Sequence, residues 1–366
     1  MTAFIISLDG CAPEYLDRSD IPNIKRLQRQ GSYLIGDAIV PTVTNVNNVS
    51  IITGEYPEVH GIISNCYYDE VTGLEVYMES AIYIKTATVF ERLHRLGVRT
   101  ALLSVKDKLC TLLNRGADIA FSAEKPPFWV TERIGNAPNI YSIEANAWLL
   151  KALRLVNQEY SPQFSYVATT DYMAHKYGPD EEEAKRHMEL IDDELGKLIE
   201  QVPDALLCVT ADHGMSEKCK AVNLRMLLAS AGVNAFVVPT VKDRYVPHHS
   251  NLSGSAYVYL LNRRQYAKAL NILRDIGEVE SVLPTEEAKA KYHLPLKTIG
   301  DFLVLGQEDV VFGEVNGREV SIRSHGSLHE RKVPIVVNRR GSRVKQVREN
   351  KDVFSIVLFE FEEYSC

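Results

Sequence analysis

The chain has 366 residues, of which 45% are apolar and 24% charged, an ordinary globular composition that excludes a disordered, collagen-like or disulfide-scaffold protein. At roughly 150 residues per domain the length suits about two structural units or one enlarged α/β domain. Its 41 basic and 48 acidic residues leave a net charge of −7, which argues against a nucleic-acid partner. No apolar run approaches the roughly 20 residues of a membrane-spanning helix.

The first residues, MTAFIISLDG, carry no basic stretch and no small-residue cleavage site, and they read as a strand that begins at once. Strand-like runs at residues 4–8, 100–105, 164–169 and 206–210 alternate with helical patterns at 21–30, 86–96, 143–158 and 180–202. In the last of these, Met188, Ile191, Leu195, Leu198, Ile199 and Val202 recur on one face, and acidic residues 180–183 suit the positive end of the helix. The alternation predicts an α/β fold with a largely parallel central sheet flanked by helices on both faces. Residues 125–139, with Pro126, Pro127 and Pro138, read as a surface excursion or lid. Between 233 and 317 the alternation is less regular, with a strand at 256–261 and a helix at 265–276. We therefore expect a catalytic core of residues 1–232 and 318–366, and a smaller inserted α+β cap of 233–317. The six cysteines form no CxxC pair, which points to a reducing, cytoplasmic setting.

Three of the strands run into aspartates: Asp9, Asp171 and Asp212. Ligands of open α/β sheets bind beyond the carboxyl ends of strands. One such acid is most simply a helix N-cap. Here two of the three carry histidines at metal-ligand spacing, His175 four residues after Asp171 and His213 next to Asp212. His325 follows the strand-like stretch 320–323. Carboxylates mixed with imidazoles suit zinc, with manganese or iron as alternatives. A second constellation begins at Thr44, after a strand-like run at 33–40 and before Gly54, which ends a short helix. Thr44 is expected as the N-cap of that helix, its hydroxyl among free amide groups that can cradle a phosphoryl group.

In order along the chain, LDG at Asp9, TNVNNVSIITG with TG-x-YP-x-x-HG behind it, TDYMAHKYGP, ADHG and SHG resemble the alkaline phosphatase superfamily. The branch containing nucleotide pyrophosphatase/phosphodiesterases and phosphonoacetate hydrolases is the most similar. SVKDKLCTLL, HHSNLSGSAYVYL and RSHGSLHERKVPI point to phosphonoacetate hydrolases within it.

The resemblance implies an alkaline phosphatase-like core and two zinc ions, one held by Asp171, His175 and His325, the other by Asp9, Asp212, His213 and the Thr44 oxygen. It implies that Asn65 contacts a phosphoryl oxygen and that Lys106 and Lys108 bind a substrate carboxylate. Without it, a Lys-x-Lys pair reads as solvated surface. The implied reaction is hydrolysis of the carbon–phosphorus bond of phosphonoacetate, through attack by Thr44 and a phosphothreonine intermediate. The carbanion that departs needs cations beside its carboxylate. A phosphodiesterase or nucleotide pyrophosphatase on the same core is the alternative, and a catalytically silent metal-binding protein a further one. The expected partner is a small-molecule phosphonate, without nucleic acid or membrane, and a homodimer is compatible with the sequence. His60, His94 and His187 read as packing or solvated residues and His293 carries no signal. His248, His249 and His329 fall in the shared motifs as pocket-lining candidates, and Cys66 reads as a small packing residue.

Overall fold

A computed structural model describes residues 1–244 and 248–363, so Cys366 lies outside the described residues. In chain order the strands begin with β1 (Ala3–Ser7), β2 (Ser32–Asp37), β3 (Cys66–Asp69), β4 (Leu74–Tyr77), β5 (Thr100–Ser104) and β6 (Ile119–Ser122). There follow β7 (Phe164–Ala168), β8 (Leu206–Thr210), β9 (Ser216–Val222), β10 (Ala235–Pro239) and β11 (Ser255–Leu260). The last are β12 (Val279–Pro284), β13 (Phe302–Gly306), β14 (Val310–Phe312), β15 (Glu319–Ser324) and β16 (Lys332–Val337).

Seven of them form the central sheet in the order β2-β16-β8-β1-β7-β5-β6. The run from β8 to β6 is parallel, and β16 lies antiparallel to both of its neighbours. Strand β1 shows why the sheet is covered twice. Ala3 and Ile5 enter one core with the Thr44–Thr53 and Val353–Glu363 helices, while Phe4 and Ile6 enter another with Ala145–Tyr160 and Glu182–Gln201. A strand buried on both faces reads as a continuous apolar run, which is how AFIIS announces itself.

The long helix spans Glu182–Gln201, with Met188, Ile191, Leu195 and Leu198 buried. The pattern expected at 86–96 becomes a helix only at Val89, because Thr88 caps it: its hydroxyl accepts the Glu91 amide while Glu91 accepts the Thr88 amide. The strand-like run 33–40 stops at Asp37, where the chain leaves β16. Residues 125–139 are not featureless: Phe128–Ile134 is helical and Val130 is buried.

Strands β10, β11, β13 and β12 make a four-stranded antiparallel sheet. Tyr257, Tyr259, Leu303 and Leu305 join one of the central cores. On the opposite face Ala256, Val258, Phe302 and Val304 pack in a separate core with Leu228 of the Leu224–Ser230 helix and Leu273 of the Tyr266–Arg274 helix. A third sheet, β14-β9-β15, joins the strand that follows His213 to the one that precedes His325. Among the described residues no helix is long and apolar enough to cross a membrane.

Candidate metal-dependent active site

Lys106, Asp171, Asp9 and Asp212 stand just past the carboxyl ends of β5, β7, β1 and β8, four consecutive strands of the sheet. Adjacent parallel strands therefore deliver one ammonium and three carboxylates to a single buried point. Gly10 makes this approach possible. It has φ +72°, and a Cβ there would lie 3.0 Å from the Asp171 Cβ. Asp212 Oδ1 accepts the amides of Gly10 (3.1 Å) and His213 (2.9 Å). Asp171 occupies the N-cap position of the Tyr172–Lys176 helix but makes no capping hydrogen bond, so its carboxylate is free to face the site.

The three imidazoles are oriented alike. The Nδ1 of His175 lies 2.7 Å from the Arg323 carbonyl, that of His213 2.9 Å from the Gly214 carbonyl, and that of His325 2.8 Å from the Thr42 carbonyl. Each carbonyl can only accept, so each Nδ1 carries the proton and each Nε2 presents a lone pair. Those Nε2 atoms face carboxylates: His175 lies 3.0 Å and His325 3.7 Å from Asp171 Oδ2, and His213 lies 3.5 Å from Asp9 and 3.6 Å from Asp212. The His213 and His325 rings stack at 3.7 Å. Metal-competent groups comprise Asp9, Asp212 and His213; Asp171, His213 and His325; and Asp171, His175 and His248.

Charge in this pocket is unbalanced. Burial, with Asp171 and Asp212 nearby, raises the Asp9 carboxyl well above its ordinary range, and burial pushes Asp212 up to about 6. Burial works the same way on Asp171, but Lys106 outweighs it and holds that carboxyl low. Burial lowers His213 and His325. Three dry carboxylates around one ammonium, ringed by imidazole lone pairs, are the donor set that divalent cations satisfy.

Thr44 differs from expectation. It is the first residue of the Thr44–Thr53 helix, with Val43 at the N-cap. The Asn47 side chain instead bonds the Ile39, Pro41 and Val43 carbonyls and the Ile39 amide, tying down the entering chain. This leaves the Thr44 hydroxyl free of capping, 3.2 Å from His213 Nε2 and 3.5 Å from Asp9 Oδ1. No side chain caps the helix, so its leading amides remain available to an anion. Gly54 ends the helix in the left-handed conformation, as read from the sequence.

The lysines also differ from a solvated surface pair. Lys106 and Lys108 are both buried. Lys106 Nζ lies 2.6 Å from Asp171 and 3.3 Å from Asp9, while Lys108 pairs with Asp243. Asn65 reaches the same carboxylate at 3.5 Å, and His249 Nε2 donates to it at 2.8 Å. His248 Nε2 lies 3.2 Å from Asp171. His248 therefore belongs beside the ligand candidates, and Asp243 is a site residue that sequence reasoning missed. Its one signal was proximity to the paired histidines. His329 does not line the pocket: it pairs with Glu280 at 2.8 Å, drawn outward by that carboxylate. His60 is buried between the Ser50 hydroxyl and the Ile62 amide, and His187 between Asn146 and the Ile143 carbonyl. His94 is exposed near Asp118, His293 pairs with Glu58, and Cys66 lies in the core.

The doubly covered sheet with a carboxylate–imidazole cluster at its carboxyl edge is the arrangement of the alkaline phosphatase superfamily. The type I phosphodiesterase / nucleotide pyrophosphatase profile matches residues 3–328, and the chain belongs to that family. It is similar to the phosphonoacetate hydrolase of Sinorhizobium meliloti 1021, solved with phosphonoacetate and with phosphonoformate. There the identity is 31% and the TM-score 0.89, over 99% of this chain and 96% of that one. Murine ectonucleotide pyrophosphatase/phosphodiesterase 5 shares the fold at 16% identity, with a TM-score of 0.72 over 99% and 95% of the two chains. Venom phosphodiesterase CdcPDE of Crotalus durissus collilineatus is 30% identical over 229 residues, 58% of this chain. The match covers 26% of that relative, so the chain spans about a quarter of its length.

Proposed function

We propose that this protein hydrolyses the carbon–phosphorus bond of phosphonoacetate to acetate and phosphate. One observation carries the reading: the buried ammonium group of Lys106 lies 3.3 Å from Asp9, the carboxylate that the uncapped Thr44 hydroxyl also faces, and Lys108 is buried two residues on. Likeness to the Sinorhizobium meliloti enzyme across almost the whole of both chains supports it.

Asp171, His175 and His325 would hold one zinc ion, and Asp9, Asp212, His213 and Thr44 the other. Bound zinc would supply Lewis acidity, favouring the Thr44 alkoxide and neutralising phosphoryl charge. The Thr44 oxygen then forms a bond to phosphorus as the carbon–phosphorus bond breaks. The electron pair leaves on carbon and spreads into the adjacent carboxylate, where the ammonium groups of Lys106 and Lys108 stabilise it more than they stabilise the substrate. A solvent proton completes acetate, and water releases phosphate from the phosphothreonine. Asn65 and the leading amides of the Thr44–Thr53 helix hold the phosphoryl oxygens. We assign residues 233–317 as the cap that brings Asp243, His248 and His249 over this pocket, on a small-molecule phosphonate and in the cytoplasm.

A phosphodiesterase is the second reading. A recess of about 360 Å³ beside His175, lined by Tyr141, Tyr172, Lys176 and His248, would accommodate a larger ester group. The test is phosphate release from phosphonoacetate by zinc-loaded protein, beside cleavage of a nitrophenyl phosphodiester. Efficient turnover of the diester with none of phosphonoacetate sinks the first reading and installs the second.

A further inference from the structure

Away from the reacting groups lies a buried ion pair that the proposed chemistry does not use. Lys218, on β9, and Glu330, between β15 and β16, meet at 2.8 Å with both side chains fully buried. Every strong partner is present. Lys218 also donates to the Glu308 carbonyl at 2.7 Å, and Glu330 accepts from the Ser216 hydroxyl, the Ser327 hydroxyl (2.7 Å) and the Ser327 amide (2.9 Å). Burial of two charges seldom stabilises more than apolar residues of the same volume, so stability alone does not explain the pair.

Its contacts do. Strand β9 leaves the His213 segment and β15 enters the His325 turn, and their register sets Ser216 opposite Ser324 and Lys218 opposite Ile322. The Glu330 carboxylate holds Ser327, which closes the His325-Gly326-Ser327 turn, while the Glu330 carbonyl accepts the amide of Gly214, next to His213. On the other side, Thr42 holds the same turn through its hydroxyl and carbonyl. One residue thus touches both segments whose imidazoles stack at 3.7 Å.

We propose that Lys218 and Glu330 are positioning residues that fix His213 and His325 relative to each other, and thereby the spacing of two bound metal ions. This rests on the dinuclear reading of the site. Metal affinity falls roughly ten- to a hundredfold when groups that orient ligands are lost.

The test compares full-length wild type with Lys218→Met/Glu330→Leu and with Ser327→Ala. The double variant removes both charges together; Ser327→Ala removes the hydroxyl that donates to Glu330 and accepts the His329 amide, and leaves the pair intact. Zinc titration of chelator-stripped protein reads affinity, urea unfolding of the same preparation reads stability, and X-ray absorption of the dicobalt forms reads the metal–metal distance. The expected result is apo stability near wild type with at least one metal bound ten- to a hundredfold more weakly and an altered or blurred metal–metal distance in the double variant. Ser327→Ala should show the same changes, smaller. If the double variant folds and binds two metals as wild type does, at an unchanged distance, the pair is structural only. If it fails to fold, Ser327→Ala decides alone: unchanged affinity and distance overturn the proposal. A wild type that never binds two ions fails the dinuclear reading itself, and this inference with it.

Discussion

The two halves of the carboxylate–imidazole cluster are built differently. Asp171 and His175 sit one helical turn apart in a single short segment, and Lys106 touches Asp171 at 2.6 Å, so this half already contains a cation. Asp9, Asp212, His213 and Thr44 come from three distant segments, and the Thr44 hydroxyl lies 3.2 Å from the His213 ring nitrogen and 3.5 Å from Asp9. Charge follows the same division: Asp171 is held low, whereas Asp9 and Asp212 are raised. Local sequence supplies the Asp171–His175 pair of the first half, whereas the tertiary fold brings His325 to it and assembles the whole of the second, which holds the potential nucleophile.

The largest expected effect is removal of metal. Purified protein should carry close to two zinc equivalents, and chelation should abolish hydrolysis, with recovery on adding zinc. Asp9→Asn and Asp171→Asn should each lower the zinc content toward one equivalent, because each breaks a different half. Full activity with a single tightly bound ion would remove the comparison altogether.

Next is Thr44→Ala, which takes the proposed nucleophile from the second half and leaves every carboxylate and imidazole in place. Turnover should fall by several orders of magnitude, as it does when a nucleophile is deleted elsewhere, with the fold and metal content kept. Thr44→Ser should retain part of the rate. Near wild-type hydrolysis by the alanine variant would mean that water attacks phosphorus directly.

A smaller effect separates the lysines. A charge-assisted contact is worth about 1.5–3 kcal/mol, so Lys106→Ala or Lys108→Ala should cost roughly ten- to a hundredfold in kcat/KM on phosphonoacetate. Cleavage of a nitrophenyl phosphodiester, whose leaving group carries no carboxylate, should suffer much less. Lys106 spans both halves and Lys108 neither, so equal damage to both substrates by Lys106→Ala alone would place its role in holding Asp171 and Asp9.

What the sequence revealed follows the same line between local and distant. Apolar runs buried on both faces made β1, β7 and β8 legible, and the acids at their ends followed from the strands. Strand β16 escaped because Pro334 lies within it, and proline argues against a central strand. The capping role expected of Thr44 failed because Asn47, three residues on, holds the entering chain instead. Asp243 had only its nearness to the paired histidines as a signal and the Lys218–Glu330 pair had none, since their ion-pair partners lie more than a hundred residues away.

The smallest expected effect concerns acid stability. Burial alone would raise the Glu330 carboxyl, but Lys218 and the hydroxyls of Ser216 and Ser327 outweigh it and hold the group below its ordinary value. A carboxyl whose folded pKa is depressed contributes stability that is fully present above its unfolded value, near 4.3, and is lost as pH falls through the folded value. Lys218→Met/Glu330→Leu removes this contribution and leaves the other acids in place. Urea unfolding of chelator-stripped protein from pH 7 down to pH 3 should therefore show the wild type losing stability more steeply than the double variant below about pH 4.3. Above that pH the difference between the two proteins should be flat. Parallel acid profiles for both would mean that Glu330 releases its proton equally well in the folded and unfolded chain, and that the ring of donors around it does not stabilise its charge.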